Sequence, residues 1–99
     1  MKLEFPEFAL GDLERIYAFC AERDGANAIA QVRLIQSAVE ILAIHPRIGR
    51  PASGWPLREL VISASKDGFV ALYDYDPIGQ LVRIVAVRHQ REVGYRFEP

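Results

Sequence analysis

Leu81-Val82-Arg83-Ile84-Val85-Ala86-Val87, running on into Arg88-His89-Gln90-Arg91-Glu92, decides the fold. Its aliphatic and β-branched residues carry no helical spacing, so residues 81 to 89 read as one strand. Two further runs precede it, residues 58 to 63 and 69 to 75. Lys66-Asp67-Gly68 is a hairpin turn between the first pair, and Asp76-Pro77-Ile78-Gly79 is a turn between the second. Consecutive strands joined by tight turns make an antiparallel meander. On the middle strand Phe69, Ala71, Tyr73 and Tyr75 share one face, with Val70, Leu72 and Asp74 on the other.

Upstream of the meander, residues 46 to 56 hold three prolines and two glycines and read as a loop. Before it lie two amphipathic segments. In residues 7 to 23, Leu10, Leu13, Ile16, Tyr17 and Cys20 make one apolar stripe. In residues 25 to 45, Ile29, Val32, Ile35, Val39 and Leu42 do the same, while Gln31, Arg33, Gln36 and Glu40 point outward. Asp24-Gly25 separates the two, with Asp24 placed to cap the second helix, and His45-Pro46 stops it. Lys2 to Phe5 alternates and reads as a short edge strand closed by Pro6. The expected class is α+β: an N-terminal edge strand, a helical hairpin, then a three-stranded antiparallel meander packed against the helices.

Ninety-nine residues make a single domain, residues 1 to 99. No apolar run approaches the roughly 18 residues that span a bilayer. The opening Met1-Lys2-Leu3-Glu4-Phe5-Pro6 has a proline and acids where a signal peptide needs an apolar core, so the expected compartment is the cytoplasm. Cys20 is the lone cysteine, which leaves no internal disulfide and no cysteine-based zinc cage; on an apolar helix face it reads as a small hydrophobe. A formal net charge of −1 argues against a general nucleic-acid binder. The charge is uneven, however, with acids early (Glu4, Glu7, Asp12, Glu14, Glu22, Asp24) and arginines late (Arg47, Arg50, Arg58, Arg83, Arg88, Arg91, Arg96).

Four groups of residues carry possible chemistry. By alternation Arg83, His89 and Arg91 share one face of the last strand, and Arg88 and Gln90 the other. Imidazole exchanges protons near neutral pH, and guanidinium forks fit phosphate or carboxylate; a solvated strand end is the plain alternative. In Pro46-Arg47-Ile48-Gly49-Arg50-Pro51 the glycine admits close approach of a ligand, and Arg47 and Arg50 hold anions or answer the helix dipole. Arg58 opens a strand with the parity of Leu60 and Ile62, and either reaches the His89 patch or pairs with Glu59 or Asp74. Tyr73, Tyr75 and Tyr95 are stacking or proton-donating candidates on a half-buried sheet, and Trp55 reads as a lid over a core edge. No phosphate loop, dinucleotide fingerprint or metal-spaced His/Cys cluster occurs, and Ser37, Ser53, Ser63 and Ser65 lack a nucleophile-elbow context. No cofactor and no metal is expected.

Leu13-Glu14-Arg15-Ile16-Tyr17-Ala18-Phe19, Leu42 through Pro51, Leu57-Arg58-Glu59-Leu60, Tyr73-Asp74-Tyr75 and Ile84 through Glu92 occur in an order and spacing that resembles the RelE/ParE toxin superfamily of type II toxin–antitoxin modules. The resemblance covers nearly the whole chain and implies a helical hairpin against a small, mainly antiparallel sheet. It also implies one of two activities. RelE-like members are ribosome-dependent mRNA endonucleases with a basic cleft of Lys and Arg; ParE-like members poison DNA gyrase by protein contact. Lysine occurs here only as Lys2 and Lys66, and an end at Pro99 leaves no room for a long C-terminal helix. Pro-Arg-Ile-Gly-Arg-Pro and His-Gln-Arg-Glu look more like ParE.

The leading expectation is therefore a non-enzymatic ParE-like toxin inhibiting DNA gyrase. A cognate antitoxin would neutralise it in a hetero-oligomer, away from any membrane. Its binding residues would come from Arg47, Arg50, Arg58, Tyr73, Tyr75, Arg88, His89, Arg91 and Tyr95. The alternative is a RelE-like ribonuclease acting on mRNA at the ribosome, in which His89, Arg58, Arg83 and Arg91 are catalytic. A third reading is a non-toxic binding module descended from such a toxin.

Overall fold

The computed structural model describes residues 1–63, 68–92, 94 and 95. The order of elements is β1 (Lys2–Glu4), α1 (Glu7–Asp24), α2 (Ala28–Glu40), a 3₁₀ turn (Ile41–Ala43), β2 (Arg50–Pro51), β3 (Arg58–Ile62), β4 (Phe69–Asp76) and β5 (Leu81–His89). The strands form one mixed sheet in the order β1-β5-β4-β3-β2. β3, β4 and β5 are the expected antiparallel meander. β1 adds at one edge, parallel to β5, with Leu3 beside Val82 and Glu4 beside Arg83.

Pro6, in extended conformation, precedes α1 and leaves its carbonyl to accept the first helical bond from Leu10. Glu7 in the first turn and Arg23 in the last both complement the helix dipole. The helices cover one face of the sheet. Ala9, Leu13 and Ile16 of α1, Ile35 and Val39 of α2 and Leu42 pack on Phe69, Ala71, Tyr73, Val82, Ile84 and Val87. Leu10 and Tyr17 lie beside this stripe, turned toward α2, where they line an open groove with Val32 and Gln36. On the opposite face Leu72 and Ala86 are covered by Ala52, Leu57, Val85 and Tyr95.

Several expectations need correction. α2 begins at Ala28 and ends at Glu40, not at 25 and 45. Asp24 belongs to α1, and it is Asn27 that stands ahead of α2, without a side-chain cap. The segment 46 to 56 is not loop throughout: Arg50 and Pro51 pair with Glu59 and Arg58 as an edge strand. Two residues are too few for alternation to reveal, and proline is tolerated at an edge because no outer ladder needs its N–H. The Lys66-Asp67 part of the first hairpin turn lies outside the described residues. The second turn forms as expected, with Asp76 Oδ1 accepting the N–H groups of Ile78 and Gly79 at 3.0 Å each.

The correction with most consequence is a β-bulge. Leu72 pairs with Ala86 but Tyr73 pairs with Ile84, so Val85 is an extra residue on β5. It flips the parity of everything after it. Val82, Ile84, Val87 and His89 therefore face the helices, while Arg83, Ala86 and Arg88 face away. Arg83 and His89, expected on one face, are on opposite faces.

Candidate functional site

At the end of β5 the edge toward β1 is open, because β1 stops at Glu4 opposite Arg83. Two side chains of α1 take the place of the missing strand. Asp12, buried with 4% exposure, accepts the Val87 N–H through Oδ2 at 2.8 Å. Arg15 donates to the Val87 carbonyl at 3.2 Å, to Asp12 Oδ1 at 3.3 Å and to Glu92 Oε1 at 2.6 Å. Glu92 Oε1 also accepts the His89 N–H at 3.0 Å. Helix, strand end and following turn are thus locked by one charged network. Burial works against the Arg15 charge, but Glu92 and Asp12 more than offset it and raise its pKa.

His89 sits inside this arrangement with 7% exposure. Phe69 meets its ring edge-on at 5.4 Å between centroids, and Phe19 lies at 5.6 Å. Nδ1 accepts the Arg91 backbone N–H at 3.0 Å, so Nε2 carries the proton of the neutral ring. Two adjoining hollows meet at His89, Phe19 and Arg23. The larger, about 340 Å³, is also lined by Arg15, Ile16, Arg91 and Glu92. The smaller, about 140 Å³, is also lined by Cys20, Asn27, Gln31 and Phe69. Burial raises the Cys20 thiol pKa despite the nearby Arg23, which suits a packing residue more than a nucleophile.

Arg58 lies at the other end of the sheet. Its partner Tyr73 is four residues along β4 from Phe69, the partner of His89. That is about 13 Å of strand. No bulge redirects Arg58, and among the described residues no carboxylate takes it. Its guanidinium donates to the Gly49 carbonyl at 2.7 Å and the Arg47 carbonyl at 3.4 Å. The expected union of Arg58 with His89 and Arg91 is therefore replaced by a clamp on the arginine loop. Tyr73 completes that clamp: its buried hydroxyl donates to the Pro46 carbonyl at 2.7 Å and accepts the Gly49 N–H at 2.9 Å. Burial raises the Tyr73 pKa, opposed by the Gly49 bond and by Arg58. Arg47, held outward by the clamp, stacks over Tyr75 at 5.0 Å. Together with Arg58, Asp74, Trp55 and Pro77 these residues border a hollow of about 380 Å³.

The outward face holds the remaining candidates. Arg50 pairs with Glu59 at 3.4 Å, and Arg83 with Glu4 at 3.2 Å. Tyr95 donates to Glu59 Oε2 at 2.5 Å, lies under Arg88 at 5.1 Å and meets Trp55 edge-on at 5.9 Å. Trp55, expected as a lid over a core edge, is itself 43% exposed. Arg88 also donates to the Glu92 carbonyl at 3.2 Å. Burial, then the bond to Glu59, raises the Tyr95 pKa far above its ordinary 10.0. A group whose folded pKa exceeds its unfolded value stabilises the fold below the unfolded pKa and loses that contribution as pH rises. Tyr73 shifts the same way. Stability should therefore fall above about pH 10, and Tyr95→Phe should flatten that fall in urea denaturation followed across alkaline pH. An unchanged alkaline slope in Tyr95→Phe would contradict the assignment.

Asp12, Arg15, Phe19 and Arg23 were not read from the sequence as site residues. One signal was present: Asp12 stands at core-facing helical spacing between Ala9 and Ile16, with Arg15 three residues on. A carboxylate in that position needs buried partners. Among the described residues no group of three His, Cys, Asp or Glu side chains is placed to hold a metal, and no helix is long and apolar enough to cross a membrane.

A two-helix layer on a five-stranded mixed sheet, with arginines in three separate settings, defines a class of small α+β proteins. A solved chain of the "Chromosomal ParDE TA system from P. aeruginosa" shares this fold with a TM-score of 0.77 and 24% identity, over 90% of this chain and 95% of that one. No curated protein sequence matches. The family described as ParE toxin of type II toxin-antitoxin system, parDE, matches residues 3–94, and the chain belongs to that family.

Proposed function

We propose that this toxin arrests growth by protein contact with DNA gyrase, and that a cognate antitoxin silences it by covering its apolar grooves. The observation that carries the reading is the dispersal of the catalytic candidates. A ribonuclease of this superfamily would need His89, Arg58, Arg83 and Arg91 around one phosphate. Instead Arg83 faces away from His89 and bonds Glu4, and Arg58 holds loop carbonyls at the far end of the sheet. Contact by surface needs no such convergence.

Two open grooves suit a flexible antitoxin segment that folds on binding. One, about 350 Å³, lies between the helices at Leu10, Tyr17 and Val32. The other, about 500 Å³, lies at Ile44, Pro46, Arg47 and Ile48, where Ile44 is 74% exposed. Arg47 and Arg50 beside it offer partners for the acids of such a segment. Gyrase acts in the bacterial cytoplasm, so the reading places the toxin there, in a hetero-oligomer with its antitoxin.

Purified toxin should abolish supercoiling of relaxed plasmid by gyrase, and added antitoxin should restore it. Supercoiling unaffected by excess toxin would refute the gyrase reading.

A further inference from the structure

We infer that the hollow bordered by the arginine loop, the start of β3 and the end of β4 is a binding site for a free guanine nucleotide. The inference does not depend on the gyrase reading.

The hollow is about 380 Å³, within the roughly 300–1,000 Å³ of small-molecule sites. Its charged lining is Arg47, Arg58 and Asp74, two cations and one carboxylate. Arg47 lies on the Tyr75 ring at 5.0 Å and pairs with no carboxylate among the described residues. Stacking occupies the face of its guanidinium and leaves the in-plane N–H groups for an anion. Arg58 spends only Nη1 on the loop carbonyls, so Nε and Nη2 keep their donors at the wall of the hollow. Asp74 bonds no side chain among the described residues. Its cross-strand neighbour Arg83 turns to Glu4 at 3.2 Å, and Arg58 turns to Gly49 at 2.7 Å. Tyr75 and the rings of Pro51 and Pro56 add flat apolar wall.

A ligand that meets all three features has a flat ring system, an anion, and paired N–H donors for the carboxylate. Guanine presents N1–H and an N2 amino hydrogen side by side, matched to the two oxygens of Asp74. Adenine turns a ring-nitrogen acceptor to the same place, which a carboxylate repels. A 5′-phosphate supplies the anion for Arg47 and Arg58. A guanine of a nucleic-acid strand offers the same groups, but its neighbouring phosphates run out of the hollow over a chain of net charge −1. There Glu59 of β3 and Asp76 of β4 stand in their way. A single nucleotide avoids both acids, which do not line the hollow. Glu59 is bound to Arg50 and Tyr95, and Asp76 to the turn amides.

The probe is GMP, titrated into the full chain and followed by NMR. Saturable shifts are expected at the amides of Arg47, Asp74 and Tyr75 and at the indole N–H of Trp55, the chain's one tryptophan, which lines the hollow. AMP should bind at least roughly tenfold more weakly, the scale of one charge-assisted hydrogen bond. Asp74→Asn should lower GMP affinity roughly tenfold and narrow the gap to AMP. Arg47→Gln should lower GMP affinity by a similar factor yet leave guanosine, which has no phosphate, unchanged. Arg33→Gln on the exposed side of α2 should change nothing. Thermal melts show that the variants fold, and the comparison of GMP with AMP needs no variant. The inference is overturned by absence of saturable shifts at millimolar GMP, by equal binding of AMP, or by undiminished GMP binding in either folded hollow variant. Tighter binding of the trinucleotide UpGpU than of GMP would overturn it in favour of nucleic acid.

Discussion

Asp12→Ala lowers the free energy of unfolding by about 4 kcal/mol, an expected result that follows from what the carboxylate holds. Removing one member of a buried charge pair costs roughly 3–5 kcal/mol, because its partner stays buried without compensation. Here the loss is compounded: the Val87 N–H loses its acceptor, and a β-edge that β1 does not reach loses half its substitute. Arg15 keeps Glu92 and is itself partly exposed, which keeps the figure inside that range. For a domain of this size about 4 kcal/mol lowers Tm by roughly 20 °C. Such a change consumes a large part of a total stability of about 5–15 kcal/mol. Asp12→Asn, which retains an acceptor but not the charge, should fall between the two. Urea denaturation of the three proteins measures this directly. A loss below about 1 kcal/mol would mean that water replaces the carboxylate and that the clamp is not structural.

The second large effect is expected at Gly49. A Cβ there would stand 2.6 Å from the Tyr73 ring and hydroxyl and 2.7 Å from the Glu59 carbonyl oxygen. The tyrosine is fully buried and the oxygen belongs to the backbone of β3, so neither can step aside cheaply. Gly49→Ala therefore adds overpacking, about 1–3 kcal/mol, to the loss of the Gly49–Tyr73 hydrogen bond. The total is about 3 kcal/mol. The local consequence matters more, because the same loop presents Arg47 to Tyr75 and the open groove. Gly49→Ala should unfold at lower urea than the wild type. Wild-type stability in this variant would show that the loop shifts freely.

The two faces of β4 followed from strand geometry because no extra residue interrupts Phe69 to Tyr75, and the helices were legible because their apolar residues recur at three and four. β5 was legible as a strand but not as to which side its residues take. Val85-Ala86-Val87 is uniformly apolar, so it conceals the extra residue that moves His89 from the face of Arg83 to the face of the helices. Nothing in Lys2-Leu3-Glu4 announces a parallel partner eighty residues on, since such pairing is set by where α1 and α2 deposit the chain. The role of Arg58 was hidden for a related reason: its acceptors are main-chain carbonyls of the loop, which leave no trace in residue type. Arg47 and Arg50 were visible as an exposed pair because glycine and prolines force that segment to the surface.

The account as a whole turns on contact in place of phosphodiester cleavage. Induced toxin can be followed in one culture by mapping gyrase-linked DNA breaks together with the ends of messages on ribosomes. The account predicts that DNA breaks accumulate while messages stay intact until growth has stopped. Early cleavage of messages in the ribosomal A site, with DNA unbroken and supercoiling normal, would contradict it.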